Sequence, residues 1–530
     1  MPVTEPFDNV TPIAAIRAKM NQTTEGDART RTIFVRPDAL HLLATEGETA
    51  LIEVDAPFYN RGGLVRPSVD EVPAANGAKT AVARLHPVDA DTMLDHLSRS
   101  AHWVKFNIRK NDYSPADPPK QVASAILARD GEWRFRRLSG VITTPTMRPN
   151  GTIFSTEGYD AETQLLLLKP PKLPPIPPFP TRDDALGALA LLCELLEEFP
   201  FVDEPSRAVA LSAIITPIVR GAMQTAPLHV TTAPVAGSGK SYIIDIASAI
   251  STGERAPVMA VGGNDEETEK RLDSALLGGQ PIISIDNVNG DLGGNKLCQL
   301  LERPLVTIRP LGQSKTIKVE SRATCYATGN NIRLVGDMTR RVIVCALDPK
   351  VERPELRQFK AKPFDIAMGN RGRYIAAALT ICRAYTVAGH PRTLPPLASF
   401  EDWSRVVRSA LVWLGCADPI LTMEAARSDD PELSLLRSVV AAWYNAINTK
   451  WVTAAQLKNE ATSSGMGSSH IYPDLHDALI NAAEMRGDIN TRKLGNFLAK
   501  HKGRVVDGKI LKCQDDAHAN VKTYSVSLAD

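Results

Sequence analysis

Residues 233–241 read Ala-Pro-Val-Ala-Gly-Ser-Gly-Lys-Ser. They stand between an apolar β-like run, Leu228-His-Val-Thr-Thr232, and an apolar helical run, Tyr242-Ile-Ile-Asp-Ile-Ala-Ser-Ala-Ile250. A glycine-containing turn ending in Lys-Ser at a strand-to-helix junction suits a phosphate chain. Gly237 and Gly239 let the backbone curl so that its N–H groups point inward. Lys240 is then placed to reach β- and γ-phosphates and the Ser241 hydroxyl to hold Mg²⁺, while the helix N-terminus adds partial positive charge. The segment expected to grip ATP comprises Pro234, Ala236, Gly237, Ser238, Gly239, Lys240, Ser241 and Tyr242. The phosphate-loop pattern G-x-x-x-x-G-K-[ST] has glycine where this chain has Pro234, which fixes φ at the loop entry instead.

The 530 residues are enough for three or four domains, each with its own core. No apolar run approaches the roughly 20 residues needed to cross a bilayer, and the first residues, Met-Pro-Val-Thr-Glu-Pro, lack the pattern of a signal peptide. Seven cysteines, none before Cys193 and none in a CxxC pair, argue against a disulfide framework or zinc ribbon. A cytoplasmic protein without a membrane partner is expected. The net charge of +1 gives no global pull toward nucleic acid, so DNA contact must come from local basic patches.

The expected organisation is a multidomain α/β chain. Residues 1–25 read as a flexible tail and 26–168 as an α+β domain. Its β-like stretches are Ala50–Val54, Trp133–Leu138 and Gly140–Thr144, and a helix over 90–100 is capped by Asp89 or Asp91. Residues 169–180, Lys-Pro-Pro-Lys-Leu-Pro-Pro-Ile-Pro-Pro-Phe-Pro, read as a stiff polyproline spacer. A pair of helices over 181–225 packs on or beside an ATPase segment, 226–390, as a collar. A helical connector (391–447) and a separate C-terminal unit (448–530) follow.

About forty-five residues past Lys240, Pro281-Ile-Ile-Ser-Ile-Asp286-Asn287 describes a buried parallel strand ending in a carboxylate. That edge is where ligands bind in open α/β sheets, so Asp286 is placed to hold Mg²⁺ through water or Ser241. A third strand, Ala323-Thr-Cys-Tyr-Ala-Thr-Gly-Asn-Asn331, ends in polar residues. It puts Asn330, or less favourably Asn331, at the γ-phosphate or attacking water. Asp337-Met-Thr-Arg-Arg-Val-Ile-Val-Cys345 sets two arginines before an apolar strand.

This order of phosphate loop, strand with Asp, strand with Asn, then Arg-Arg resembles the superfamily 3 helicase branch of AAA+ ATPases. Within that branch it is most similar to the helicase parts of phage, plasmid and integrative-element primase-helicases. The resemblance covers residues 225–355 and, separately, the C-terminal end. It implies a hexameric ring around DNA, with ATP bound between subunits and Arg340 or Arg341 offered to the neighbour's nucleotide. AAA+ hydrolases usually carry Glu after the strand Asp. Here it is Asn287, which can orient water but cannot take its proton. A base would come from elsewhere, Asp291 or the acidic run Asp265–Glu269, although that run reads better as a solvated helix start. The family also implies a DNA-touching hairpin. Leu305-Val-Thr-Ile-Arg309 and Lys315-Thr-Ile-Lys-Val319 flank a turn that fits it, with Lys315 at the tip and Arg309 and Lys318 as lesser contacts.

At the C-terminal end, three helices precede a hairpin at Asp507-Gly508 and a closing strand, Lys522–Val526. This describes a winged helix-turn-helix like the tail of the same primase-helicases, with Arg492, Lys493, Lys500 and Lys502 facing DNA. A protein-docking role is the alternative. The N-terminal domain offers no carboxylate cluster for a primase, since Asp89-Ala-Asp91 reads as a helix cap. Phe58–Arg66 and Trp133–Arg137 mix aromatics with arginines, either as a single-strand stacking surface or as ordinary strand alternation. The expected protein is an ATP- and Mg²⁺-dependent, ring-forming helicase of a mobile element. It would act on single-stranded and forked DNA, with a primase or other replication proteins as partners. The alternatives are an ATPase that loads or remodels other factors and an ATP-binding regulator that does not turn over.

Overall fold

The computed structural model describes residues 31–73, 79–260, 262, 265–310, 316–357, 359–428, 431–464, 470–516 and 521–529. The expected tail, 1–25, and Lys315 lie outside them. The chain forms two compact units: residues up to 288 with 294–330 and 345–419, and residues 289–293 with 331–344 and 420–530.

The first unit is organised by a five-stranded sheet. Its elements are β1 (Leu228–Thr232), α1 (Lys240–Ser251), β2 (Val258–Ala260), α2 (Asp265–Leu277), β3 (Ile282–Leu292), β4 (Leu305–Ile308), β5 (Ile317–Glu320), β6 (Thr324–Leu334) and β7 (Val342–Ala346). The strand order is β2-β3-β6-β1-β7, with β1 parallel to β6 and β2 parallel to β3. β1 and the start of β3 are buried along nearly their whole length. That is why both read as apolar runs rather than alternating strands. Ile243, Ile244, Ile246, Ala247 and Ile250 bury the inner face of α1.

Two helices precede the sheet. Arg182–Glu194 starts on a capping box between Thr181 and Asp184, and Glu204–Ile218 is capped by Asp203. The second is buried nearly all round, as expected of a helix apolar on every face. Both pack against α3 (Arg371–Val387). The polyproline stretch has no helix or strand, as expected, but it is not a free spacer. Arg383 of α3 donates to the Pro178 carbonyl at 2.8 and 3.1 Å, and a Cβ on Gly372 would collide with the Lys172 carbonyl oxygen. The stretch is a strap laid along α3.

In the N-terminal domain, Arg31–Val35 pairs in parallel with Ala101–Asn107, and helices Leu40–Glu53, Ala90–Ser100 and Lys120–Leu127 pack beside that sheet. Asp89 caps the second of these helices, accepting from Thr92 N–H at 2.7 Å. Two expectations fail here. Ala50–Val54 is not a strand: its first four residues end a helix whose buried residues, Leu43, Ala44, Gly47, Ala50 and Leu51, follow helical spacing. Trp133–Leu138 is irregular, because Trp133 Nε1 donates to the Ile126 carbonyl at 2.7 Å and Phe135 turns into the core. Phe58 and Phe135 are buried and cannot stack on bases, while Trp133 is half-buried.

In the second unit, helices Ala454–Thr462, Pro473–Ala483 and Thr491–His501 precede strands Val505–Val506, Lys509–Asp516 and Val521–Leu528. Thr453 caps the first with a capping box, and Asp507 and Gly508 both take positive φ at the hairpin turn. Helix Pro431–Ile447, expected in a connector, shares this unit's core through Leu436, Val439, Val440 and Trp443.

Candidate nucleotide site

β1 ends at the loop and α1 begins at Lys240, so the loop's glycines must reverse the chain. Gly237 and Gly239 have φ of +74° and +92°, which a side chain would strain. A Cβ on Gly239 would also press within 3.2 Å of the Phe199 ring. Ser238 Oγ donates to the Val235 carbonyl at 2.8 Å and locks the turn, while Pro234, Ala236 and Gly237 stay exposed. Tyr242 stacks on Phe199, and its hydroxyl accepts from Phe364 N–H at 3.3 Å.

The residues expected from three separate stretches meet at the C-terminal edge of the sheet. Lys240 Nζ donates to Asn330 Oδ1 at 2.7 Å and to the Val235 carbonyl at 3.1 Å. Ser241 Oγ donates to Asp286 Oδ1 at 3.0 Å. Partial burial pushes the Lys240 ammonium below its usual pKa, and the Asp286 charge partly opposes this. Asn330, rather than Asn331, is the asparagine that meets Lys240.

One member escaped the sequence. Thr328 Oγ1, buried in β6, donates to Asp286 Oδ1 and accepts from Asn287 N–H at 3.3 Å. A threonine within a strand reads as ordinary β-branched filler. Only its register beside Asp286 marks it. Asn287 sits at φ +56° and Asn331 at +53°. The strands do not end at these polar residues, as expected, but run on to Leu292 and Leu334. In the second unit, those extensions carry an ion pair between Arg333 and Asp291 at 2.8 Å.

Of the other base candidates, Glu266 and Glu267 are engaged, and Glu269 stands exposed on α2. Glu266 pairs with Lys270 at 2.7 Å and Glu267 pairs with Arg271, so the acidic run is the exposed first turn of α2. Arg340 and Arg341 both bind Asp337, whose carboxyl is held below the usual range by Arg340 first and Arg341 as well. They differ in exposure: the Arg341 side chain is 4% exposed and the Arg340 side chain 40%.

β4 and β5 form the expected antiparallel hairpin, with Ile308 opposite Ile317 and Thr307 opposite Lys318. Arg309 and Lys318 are exposed. Its base is tied to the N-terminal domain through Arg61, which donates to the Glu320 carbonyl at 3.0 Å and to the Leu276 carbonyl at 2.8 Å. Arg492 on helix Thr491–His501 and Lys502 just after it stand exposed. Lys500 pairs with Glu432 at 3.0 Å, and Lys493 Nζ rests on the Glu484 carbonyl at 3.1 Å.

In chemical terms the site offers an ammonium, a hydroxyl and a carboxylate beside one glycine-containing loop. Two hard oxygens, Ser241 Oγ and Asp286 Oδ1, suit a Mg²⁺ ion that keeps waters and phosphate oxygens as its other ligands. No helix among the described residues is long and apolar enough to cross a membrane.

No family model matches the sequence, and no curated protein does. Among solved structures, the chain is similar to the C-terminal region of NrS-1 in its A-form apo state, at 11% identity and a TM-score of 0.37. That match covers 85% of this chain and 95% of that one. It is also similar to JCV helicase, at 13% identity and a TM-score of 0.22, over 47% of this chain and 74% of that one.

Proposed function

We propose that this chain is an ATP-dependent DNA helicase of the superfamily 3 type that works as a ring, a hexamer by that resemblance, in replication of a phage, plasmid or integrative element. The reading rests on the meeting of Lys240, Ser241, Asp286 and Asn330, from three distant stretches, at one sheet edge. Lys240, now hydrogen-bonded to Asn330, exchanges that partner for phosphate oxygens when ATP enters. Ser241 and Asp286 hold Mg²⁺, which neutralises charge on the phosphates. Thr328 fixes the Asp286 carboxylate and the Asn287 backbone, and Asn330 is left to orient the water. Arg340, the more exposed of the pair, is the arginine offered to the neighbouring subunit. The hairpin of β4 and β5 follows the DNA strand with Lys318 and Arg309, and Lys315 is assigned to its tip. The C-terminal unit acts as a winged helix that meets DNA through Arg492 and Lys502.

A fork-unwinding assay on the parent and Lys240→Ala tests this. Unwinding should require ATP and disappear in the variant; unwinding that survives Lys240→Ala overturns the mechanism. One observation favours a second reading, an ATP-binding regulator: Asn287 replaces the usual base, and Asp291, Glu266 and Glu267 are all ion-paired. Tight ATP binding with no turnover in the presence of DNA would select it.

A further inference from the structure

Within the first unit, the N-terminal domain and the ATPase sheet enclose a cavity of about 370 Å³. Its charge is lopsided. Three lining arginines are matched by carboxylates: Arg84 by Asp70 at 2.7 Å, Arg322 by Glu320 at 3.0 Å, and Arg255 by Asp245. Arg61 and Arg220 make no ion pair among the described residues, although they are only 7% and 8% exposed; the one carboxylate whose charge reaches both, Glu320, is already paired with Arg322. Arg61 rests on the carbonyls of Leu276 and Glu320. Arg220 rests on those of Met223 at 2.7 Å, Gln224 at 3.2 Å and Ala323 at 3.3 Å. Among the described residues, Glu254 is the only acid lining the cavity. Two polar atoms in the wall are buried without any hydrogen-bond partner: Arg61 Nε and the hydroxyl of Ser139, a residue 2% exposed.

Carbonyl dipoles solvate a guanidinium but do not neutralise it, and a buried charge lacking a counter-ion is costly. An orphaned donor and an orphaned hydroxyl beside two such charges indicate an anion with several acceptor oxygens. Phosphate fits better than carboxylate, because its oxygens can accept from two guanidiniums and a hydroxyl together. The volume lies at the small end of ligand sites, and no residue of the 234–242 loop lines it.

We propose that this cavity is a second anion site, binding a small phosphate-bearing ligand of mononucleotide size or less on Arg61, Arg220 and Ser139. Because Arg61 and Ser139 come from the N-terminal domain and Arg220 follows the second of the two helices that precede the sheet, the bound ligand fastens these parts together.

The test is calorimetric titration of the full chain with AMP and, separately, with orthophosphate, under a saturating non-hydrolysable ATP analogue and Mg²⁺, repeated on Lys240→Ala. One saturable site per chain is expected, and it persists in Lys240→Ala. Ser139→Ala, which removes only an unpartnered hydroxyl, weakens it about tenfold, and Arg220→Lys weakens it further. Tighter AMP than phosphate identifies a nucleoside monophosphate as the ligand, and equal binding identifies free phosphate; either supports the proposal. Two results overturn it: neither anion binds, or both variants bind like the parent. Binding of the ATP analogue is read separately in the same experiment, so failure of the loop reading is distinguishable from failure of this one. If Arg220→Lys does not fold, Ser139→Ala still decides.

Discussion

Thr328→Val is the most informative single change at the candidate nucleotide site. Valine keeps the shape and the buried, β-branched packing of β6, so the perturbation is confined to one hydroxyl. That hydroxyl makes two bonds, one to the Asp286 carboxylate and one from Asn287 N–H at 3.3 Å. The second is long and contributes little. The first is charge-assisted, and such bonds contribute about 1.5–3 kcal/mol. If Asp286 must be held still to serve Mg²⁺ as the γ-phosphate departs, the loss falls on the transition state. About 10- to 150-fold in turnover is then expected. Nucleotide affinity measured with the metal chelated should hardly move, because Lys240 and the loop backbone are untouched. The assay is steady-state ATP hydrolysis with DNA present, alongside ADP titration in chelator. Thr328→Ser, which retains the hydroxyl, should stay near the parent. A Val variant that hydrolyses ATP at the parental rate, or a Ser variant as slow as Val, refutes the positioning role.

Other outcomes follow from the same geometry. Arg340→Ala should lower turnover by about 10³-fold while leaving nucleotide binding intact, and mixing it with Lys240→Ala subunits should restore part of the activity. Arg341→Ala should instead lower the melting temperature, since that side chain is buried against Asp337. ATP binding should raise the lowered pKa of Lys240, so protons are taken up as pH approaches that value from below; buffer-dependent binding enthalpies that lack this uptake would contradict the assignment. Burial in β1 lowers the His229 pKa to about 3. The folded state therefore binds fewer protons than the unfolded one, whose histidine titrates near 6.5. Stability from this group is present above pH 6.5 and is lost as pH falls toward 3, about 2 kcal/mol of it between pH 7 and 5. Hydrogen exchange of the β1 peptide should show this loss in the parent but not in His229→Leu.

The meeting of the candidate nucleotide residues was legible because each of their parts is a local signal. Positive φ needs glycine at 237 and 239, and a carboxylate closing an apolar run needs a reason to be there. The cap at Asp89 marks its helix for the same reason, since one side-chain oxygen satisfies a backbone donor only three residues away. What escaped was whatever depends on distant partners. Ala50–Val54 reads as a strand in a five-residue window, and only the longer spacing back to Leu43 reveals the helix. Thr328 and Arg61 look ordinary in sequence, because the groups they serve lie 42 and 259 residues away. The split between Arg340 and Arg341 depended on burial, which neither sequence position encodes.

The strap over α3 bears on how this protein should be cut. A proline-rich stretch invites truncation at Thr181 to isolate the five-stranded sheet with its helices. Such a piece would lose the backbone that covers Gly372 and the carbonyl that receives Arg383, leaving a dry groove open to water and to other chains. Residues 169–180 serve as a splint for the helix they follow, and a soluble fragment should begin before the first of its prolines.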